Sequence, residues 1–183
     1  GGMTYTVSGA GYEPEGKIQS QEQPDLMPQP GSSLYDTILA GMLSNDSTYT
    51  YRDGQASYVG DPTEVALLVL GKKAGFDLDG QVSQNYPRLD GIPFESEHQY
   101  MATLHKQPVE INNEHNRAYL KGGVEVILEK CVDALGADGI DITLDAEAIH
   151  RQAEKMAQRG FRVLAFARKD FDASQRNIQH ADF

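Results

Sequence analysis

The segment Asp61-Pro62-Thr63-Glu64, followed by VALLVLGKKAG, is punctuated at both ends. Asp61 can accept from the free amides of a helical first turn. Pro62, with its fixed φ and missing N–H, suits the first helical position. Glu64 stands three residues after the cap. Gly75 is a natural stop, because it takes the left-handed conformation that ends a helix. A helix bounded in this way cannot grow into its neighbours, and the neighbours read as strands. Tyr49, Tyr51 and Tyr58 flank Asp53-Gly54, a strong hairpin signal. Residues 86–94 and 98–106 look like strands; in the second, Tyr100, Ala102 and Leu104 alternate with Met101, Thr103 and His105. The expectation is an α+β fold: a central, mainly antiparallel sheet flanked by helices.

The rest of the chain fits that reading. Met3 to Ile18 predicts a short strand, a glycine-rich turn and a second short strand. Residues 19–31 are polar and proline-rich and predict a surface loop. Leu34, Ile38, Leu39 and Met42 have helical spacing behind the cap candidates Ser32 and Ser33. Asn112-Asn113 reads as a polar turn, and Arg117 to Leu120 as the start of a strand that Gly122-Gly123 breaks. VEVILEKC then predicts a short helix. Residues 144–159 form an amphipathic helical pattern ended by Gly160. FRVLAFA, Phe161 to Ala167, predicts a buried strand, and residues 169–183 a polar tail. No internal repeat is visible.

A chain of 183 residues predicts one domain, residues 1–183, able to bury a core without disulfides or a structural metal. Sixteen Lys and Arg against 27 Asp and Glu leave a formal charge of −11, which argues against a nucleic-acid binder and against docking on anionic lipid. One cysteine, Cys131, excludes a disulfide framework and a thiolate metal cluster. No apolar run reaches 18 residues, so no bilayer span is expected. The opening GGMTYTVSG has neither a charged start nor an apolar stretch, so no signal peptide is expected, and Gly1-Gly2 resembles an expression-vector scar.

Several familiar motifs fail. Gly71-Lys72-Lys73 lacks the upstream glycine and the hydroxyl residue of a P-loop, and Gly9-Ala10-Gly11 lacks the third glycine of a dinucleotide fingerprint. The histidines at 98, 105, 115, 150 and 180 show neither HxxxH nor HExxH spacing, so no metal site is expected. Asn45-Asp46-Ser47 is a formal glycosylation sequon that reads as chance. No nucleophile–base constellation can be assigned, so no catalytic residue is expected.

Four segments carry more. They are GDPTEVALL at 60–68, PFESEHQYM at 93–101, KGGVE at 121–125 and GFRVLAFA at 160–167. Each taken alone has a plain structural explanation: a capped helix, a core aromatic, an exposed strand end, an edge arginine. In this order and at this spacing they resemble the nucleotide-binding domain of cation-transporting P-type ATPases, in the calcium-pump and sodium-pump branch. The family writes GDPTE-x-ALL, PF-[DSN]-S-x-x-[KR]-x-M, KGAPE and G-[LFY]-R-V-L-[AG]-[FVL]-A. The opening VSGAGYEPEGKI resembles the stretch just after the phosphorylated loop in bacterial members, so the likeness covers essentially the whole chain. Two positions depart from it. Gln99 stands where the family usually has Lys or Arg, and Gly123-Val124 where it has Ala-Pro.

The resemblance implies a domain of a larger membrane ATPase, inserted by hinge strands into a phosphorylation domain; the motifs DKTGT, TGD and GDGxND are absent here. It implies a cytoplasmic position with no direct membrane contact by this part. The implied ligand is ATP, with Mg held mainly by the phosphorylation domain; the implied partners are the phosphorylation and actuator domains of the parent chain. Phe94 would stack on adenine, and Glu64 would accept from its amino group. Lys121 would line the pocket floor, and Gly122 and Gly123 would leave room for ring and ribose. Met101 and Leu164 would be apolar walls, Arg162 would reach phosphate, and Ser96 and Gln99 would complete the set. The chain alone is expected to bind ATP without hydrolysing it. The alternatives are an acidic interaction module that binds a protein partner, which adenine competition would expose, and a free-standing nucleotide hydrolase, which turnover would expose.

Overall fold

The computed structural model describes residues 2–53, 55–77, 81–108 and 115–183. The chain divides into two units, Gly1–Asn85 with Gly136–Ile140, and Tyr86–Leu135 with Asp141–Phe183.

In the first unit, β1 (Thr6–Val7) pairs antiparallel with β2 (Ile18–Gln19). Helix α1 (Ser33–Leu43) starts where the Ser32 hydroxyl accepts from the Tyr35 amide. The tyrosine-rich hairpin is β3 (Thr48–Arg52) with β4 (Gln55–Val59), in the register Tyr49 to Tyr58. Its turn residue Gly54 lies outside the described residues.

Helix α2 (Pro62–Lys73) has both predicted ends. The Asp61 carboxylate accepts from the amides of Thr63 and Glu64. At the other end the Gly75 amide donates to Lys72 and the Phe76 amide to Gly71, with Gly75 at φ +84°. That pair of bonds is a Schellman cap. Ile38, Met42, Val65, Leu68 and Val69 form this unit's core. A Cβ built on Gly71 would fall 2.4 Å from Met42 Sδ, so this glycine serves helix packing. Helix α3 (Gln81–Asn85) follows.

The second unit is built on a four-stranded antiparallel sheet, in the order β10-β7-β6-β5. Its strands are β5 (Arg88–Ile92), β6 (Tyr100–Lys106), β7 (His115–Gly122) and β10 (Ala165–Asp172). The alternation read in β6 is real in register but not in burial, since both faces are covered from Tyr100 through His105. Ile92, Tyr100, Ala102, Leu104, Ala118 and Leu120 make the core of one face, joined by Ile127 and Ile178. Helix α4 (Val124–Glu129) starts immediately after β7, with Gly123 as its cap. A short hairpin, β8 (Asp133–Leu135) with β9 (Asp141–Thr143), has no counterpart in the sequence reading. Helix α5 (Ala146–Gln158) ends at Gly160 by a second Schellman cap, and none of its residues is fully buried. The expected Asn112-Asn113 turn lies outside the described residues.

One strand differs from expectation. FRVLAFA is not a buried strand: β10 begins only at Ala165, and Phe161 and Arg162 are exposed ahead of it. The strand runs on through Lys169 to Asp172, which the sequence places in a polar tail. The reason is pairing: Lys169, Asp170 and Asp172 face β7 partners Ala118, Arg117 and His115 as an edge strand, where polar side chains are tolerated. Beyond it Ile178 is buried, and Phe183 packs on the same core.

Candidate functional site

Sheet order decides what comes together. In an antiparallel sheet ordered β10-β7-β6-β5, four chain ends share one edge: the end of β5, the start of β6, the end of β7 and the start of β10. Nine of the ten expected site residues lie on or just beyond those ends. Phe94 and Ser96 are in the connection after β5, and Gln99 and Met101 are at the entry to β6. Lys121, Gly122 and Gly123 close β7, and Arg162 and Leu164 precede β10. The register ties them laterally. Met101 pairs with Lys121, Tyr100 with Gly122, and Ala165 with Gly122 on the other side.

The connection from β5 to β6 is held by its own backbone. The amides of His98 and Gln99 both donate to the Glu95 carbonyl, at 3.1 and 2.8 Å. Gln99 takes φ +55°, which aims its carbonyl at the Gly123 amide, 3.1 Å away. In this frame Phe94 is not a core aromatic; it is 58% exposed. Lys121 is buried at 6%, and Met101 has no exposed surface at all.

The two glycines differ. A Cβ on Gly122 would come within 2.5 Å of the Gln99 carbonyl oxygen, so the protein's own backbone requires this glycine. A Cβ on Gly123 would meet only Gln99 Oε1, at 3.8 Å, so space lies open above it.

Glu64 belongs to the first unit. Its Oε2 accepts from the Ser47 hydroxyl at 2.9 Å and from the Asp46 amide at 3.1 Å. The Asn45 side chain of the formal sequon donates to the Glu64 and Gly41 carbonyls, at 2.9 and 3.1 Å, which gives Asn45 a structural task.

Spacing rules missed one cluster in the second unit. Glu95, His98 and His180 bring ligand-type atoms within 4.8 Å of one another. The Tyr100 hydroxyl lies 2.7 Å from His180 Nδ1, and burial pushes its pKa up, so it stays protonated. His98 and His180 come from distant parts of the chain, which no local motif can reveal. Burial, with Asp133 beside it, also pushes the Cys131 thiol up, away from the reactive thiolate form.

Among the described residues no helix is long and apolar enough to cross a membrane. The family profile described as P-type ATPase, cytoplasmic domain N, matches residues 33–183. The chain is 43% identical over its whole length to a cation-transporting ATPase, pma1, of Synechocystis sp., covering 20% of that protein. It is 38% identical over 87% of its length to a probable cation-transporting ATPase F of Mycobacterium tuberculosis, covering 17% of that protein. With a calcium-transporting ATPase of Bacillus subtilis it shares 33% identity over 71% of its length and 14% of the relative's. The chain thus spans a fifth or less of the curated relatives it matches. With a profile match over most of its length and the α+β sheet that its four motifs implied, this chain belongs to the P-type ATPases, as a cytoplasmic N domain.

Proposed function

We propose that this N domain binds ATP at the shared sheet edge, with the adenine against Phe94. The observation that carries the reading is the exposure of that ring, at the sheet edge that also carries the open space at Gly123. An exposed large aromatic costs solvation, and a flat neutral base is a partner suited to covering it. The donor set fits the ligand. Phe94 supplies a stacking face, Ser96 and Gln99 supply polar groups beside it, and Gly123 leaves room for ring and ribose. Lys121 forms the floor, with its cross-strand partner Met101, beside it, and Leu164 as apolar walls. Arg162, exposed ahead of β10, is the cation for phosphate. Gly122 contributes by letting β6 and β7 close the edge rather than by leaving room.

When bound, ATP supplies the phosphoryl group; this chain's residues bind and orient it. In the parent chain the N domain would carry it to an aspartate on the phosphorylation domain, with Mg held mainly there and the actuator domain as a further partner. Catalysis of that kind is positioning. The isolated chain is then a binder without turnover.

NMR titration of the 183-residue chain with ATP tests the reading. The expected result is saturable shifts at residues 93–101 and 121–123, with affinity weakened roughly five- to tenfold by Phe94→Ala and no phosphate release. Phe94 is the clean position, because it is exposed, whereas a change at buried Lys121 perturbs the sheet as well. Wild-type affinity in Phe94→Ala would place the base elsewhere. Steady phosphate release would overturn the assignment as a carrier.

A further inference from the structure

We propose that Glu95, His98 and His180 form a site for a borderline divalent transition metal of the zinc class, on the connection that also carries Phe94.

The geometry gives three reasons. First, the three groups converge without satisfying one another. His98 Nε2 and Glu95 Oε2 are 3.7 Å apart, too far for a hydrogen bond but close enough to share an ion. The two imidazole rings are stacked, 3.8 Å apart between centroids and inclined by 33°, so they are neighbours already and the His98 ring must turn for both lone pairs to meet one ion. Second, His180 is already oriented. Its Nδ1 is engaged by the Tyr100 hydroxyl at 2.7 Å, which leaves Nε2 as the nitrogen for an ion. With Nδ1–H donating to the Tyr100 oxygen, Nε2 keeps a free lone pair and the ring direction is held, which is the usual supporting arrangement for a ligating histidine. Third, two imidazoles and one carboxylate make a mixed N/O donor set. That set suits Zn²⁺, Co²⁺ or Ni²⁺ and disfavours Mg²⁺ and Ca²⁺, which take all-oxygen sites.

The donor atoms lie within 4.8 Å of one another, and drawing them to metal–ligand distances of about 2.0–2.2 Å needs modest side-chain rotation. Glu95 is exposed and His98 is half-buried, so these two can turn toward the held ring of His180. The site joins two segments of the second unit: the connection that carries Phe94, and the segment after β10. An ion there would fasten the one to the other.

The test is titration of the 183-residue chain with Zn²⁺, and with Co²⁺ read by its visible absorption, in a non-chelating buffer. One equivalent of saturable binding is expected, with Co²⁺ bands of a low-coordinate N/O site. His98→Ala and His180→Ala should each weaken binding at least about tenfold, and Tyr100→Phe less, by loosening His180. His150→Ala and Cys131→Ser should leave it unchanged. Far-UV circular dichroism checks each fold, and if His180→Ala does not fold, His98→Ala decides. Absence of saturable binding would overturn the proposal. So would unchanged affinity in folded His98→Ala, or loss of binding in His150→Ala, whose histidine lies 4.0 Å from Glu125. Neither metal result depends on ATP, so the nucleotide reading stands or falls separately.

Discussion

Gln99 shows how one residue can be legible as a motif position and opaque as a structural one. The sequence marks it as a departure from the family's usual cation. Only the structure shows that its backbone sits at φ +55° and that its carbonyl receives the Gly123 amide. A left-handed residue other than glycine costs about 1–2 kcal/mol, and neither Gln nor Lys relieves that cost, so Gln99→Lys changes charge without changing backbone preference. The side chain is exposed beside the open space at Gly123. An ammonium about 5 Å from phosphate gains roughly 1 kcal/mol at a dielectric near that of water. Gln99→Lys is therefore expected to tighten ATP about fivefold and adenosine hardly at all, and added salt should erase most of the difference. Calorimetry with both ligands at low and high salt measures this. Equal gains for the two would mean that position 99 senses the base rather than the phosphates.

At the scale of elements, ends were more legible than interiors. Both ends of α2 could be named in advance because Asp61, Pro62 and Gly75 act locally, through their own hydrogen bonds and dihedral angles. The start of β10 could not. FRVLAFA has the apolar content of a buried strand, yet pairing begins only at Ala165, because strand limits are set by the partner and β7 ends at Gly122. The four motifs were legible as a list of residues; what drew nine of them, from three motifs, to one edge was strand order, which no single segment encodes. The start of α4 offers a test of a local rule. Gly123, its cap, has φ −60° and ψ 144°, a conformation that also suits a residue before proline. Val124 is the first helical residue, where a missing N–H costs nothing. Val124→Pro, which restores the family's usual proline, is expected to stabilise the chain by about 0.4–1 kcal/mol, chiefly by restricting the unfolded state. Urea denaturation would show a raised midpoint at an unchanged slope. A lowered midpoint would mean that the buried Val124 side chain contributes more through packing than proline returns.

For the molecule as a whole, acidity is the dominant electrostatic fact, with a formal charge of −11 and a sequence pI near 4.8. Lowering the pH from 7 toward that value removes self-repulsion, which favours the folded state. Below it, particular carboxylates take over. Burial would push Asp170 up, but the Arg117 guanidinium donates to both its oxygens, and with His115 and Arg168 nearby its pKa ends below the usual range. The Ser174 hydroxyl and amide lower Asp172 in the same way. A carboxyl whose folded pKa is depressed contributes its stability above its unfolded value of about 3.9 and loses it as pH falls through the folded one. Asp170 and Arg117 face each other across β10 and β7, so this loss falls on the sheet that carries the site edge. Stability is expected to hold or rise from pH 7 to about 5, then to fall below about pH 4. Asp170→Asn should be less stable at pH 7 yet show a shallower decline between about pH 4 and 2. Half of the Asp170 side chain is in solvent, at 54% exposure, so the effect is modest. Urea midpoints for both proteins across this range are the measurement. Parallel pH profiles would show that the Arg117 pair does not govern the acid limb, and would shift that role to carboxylates elsewhere in the chain.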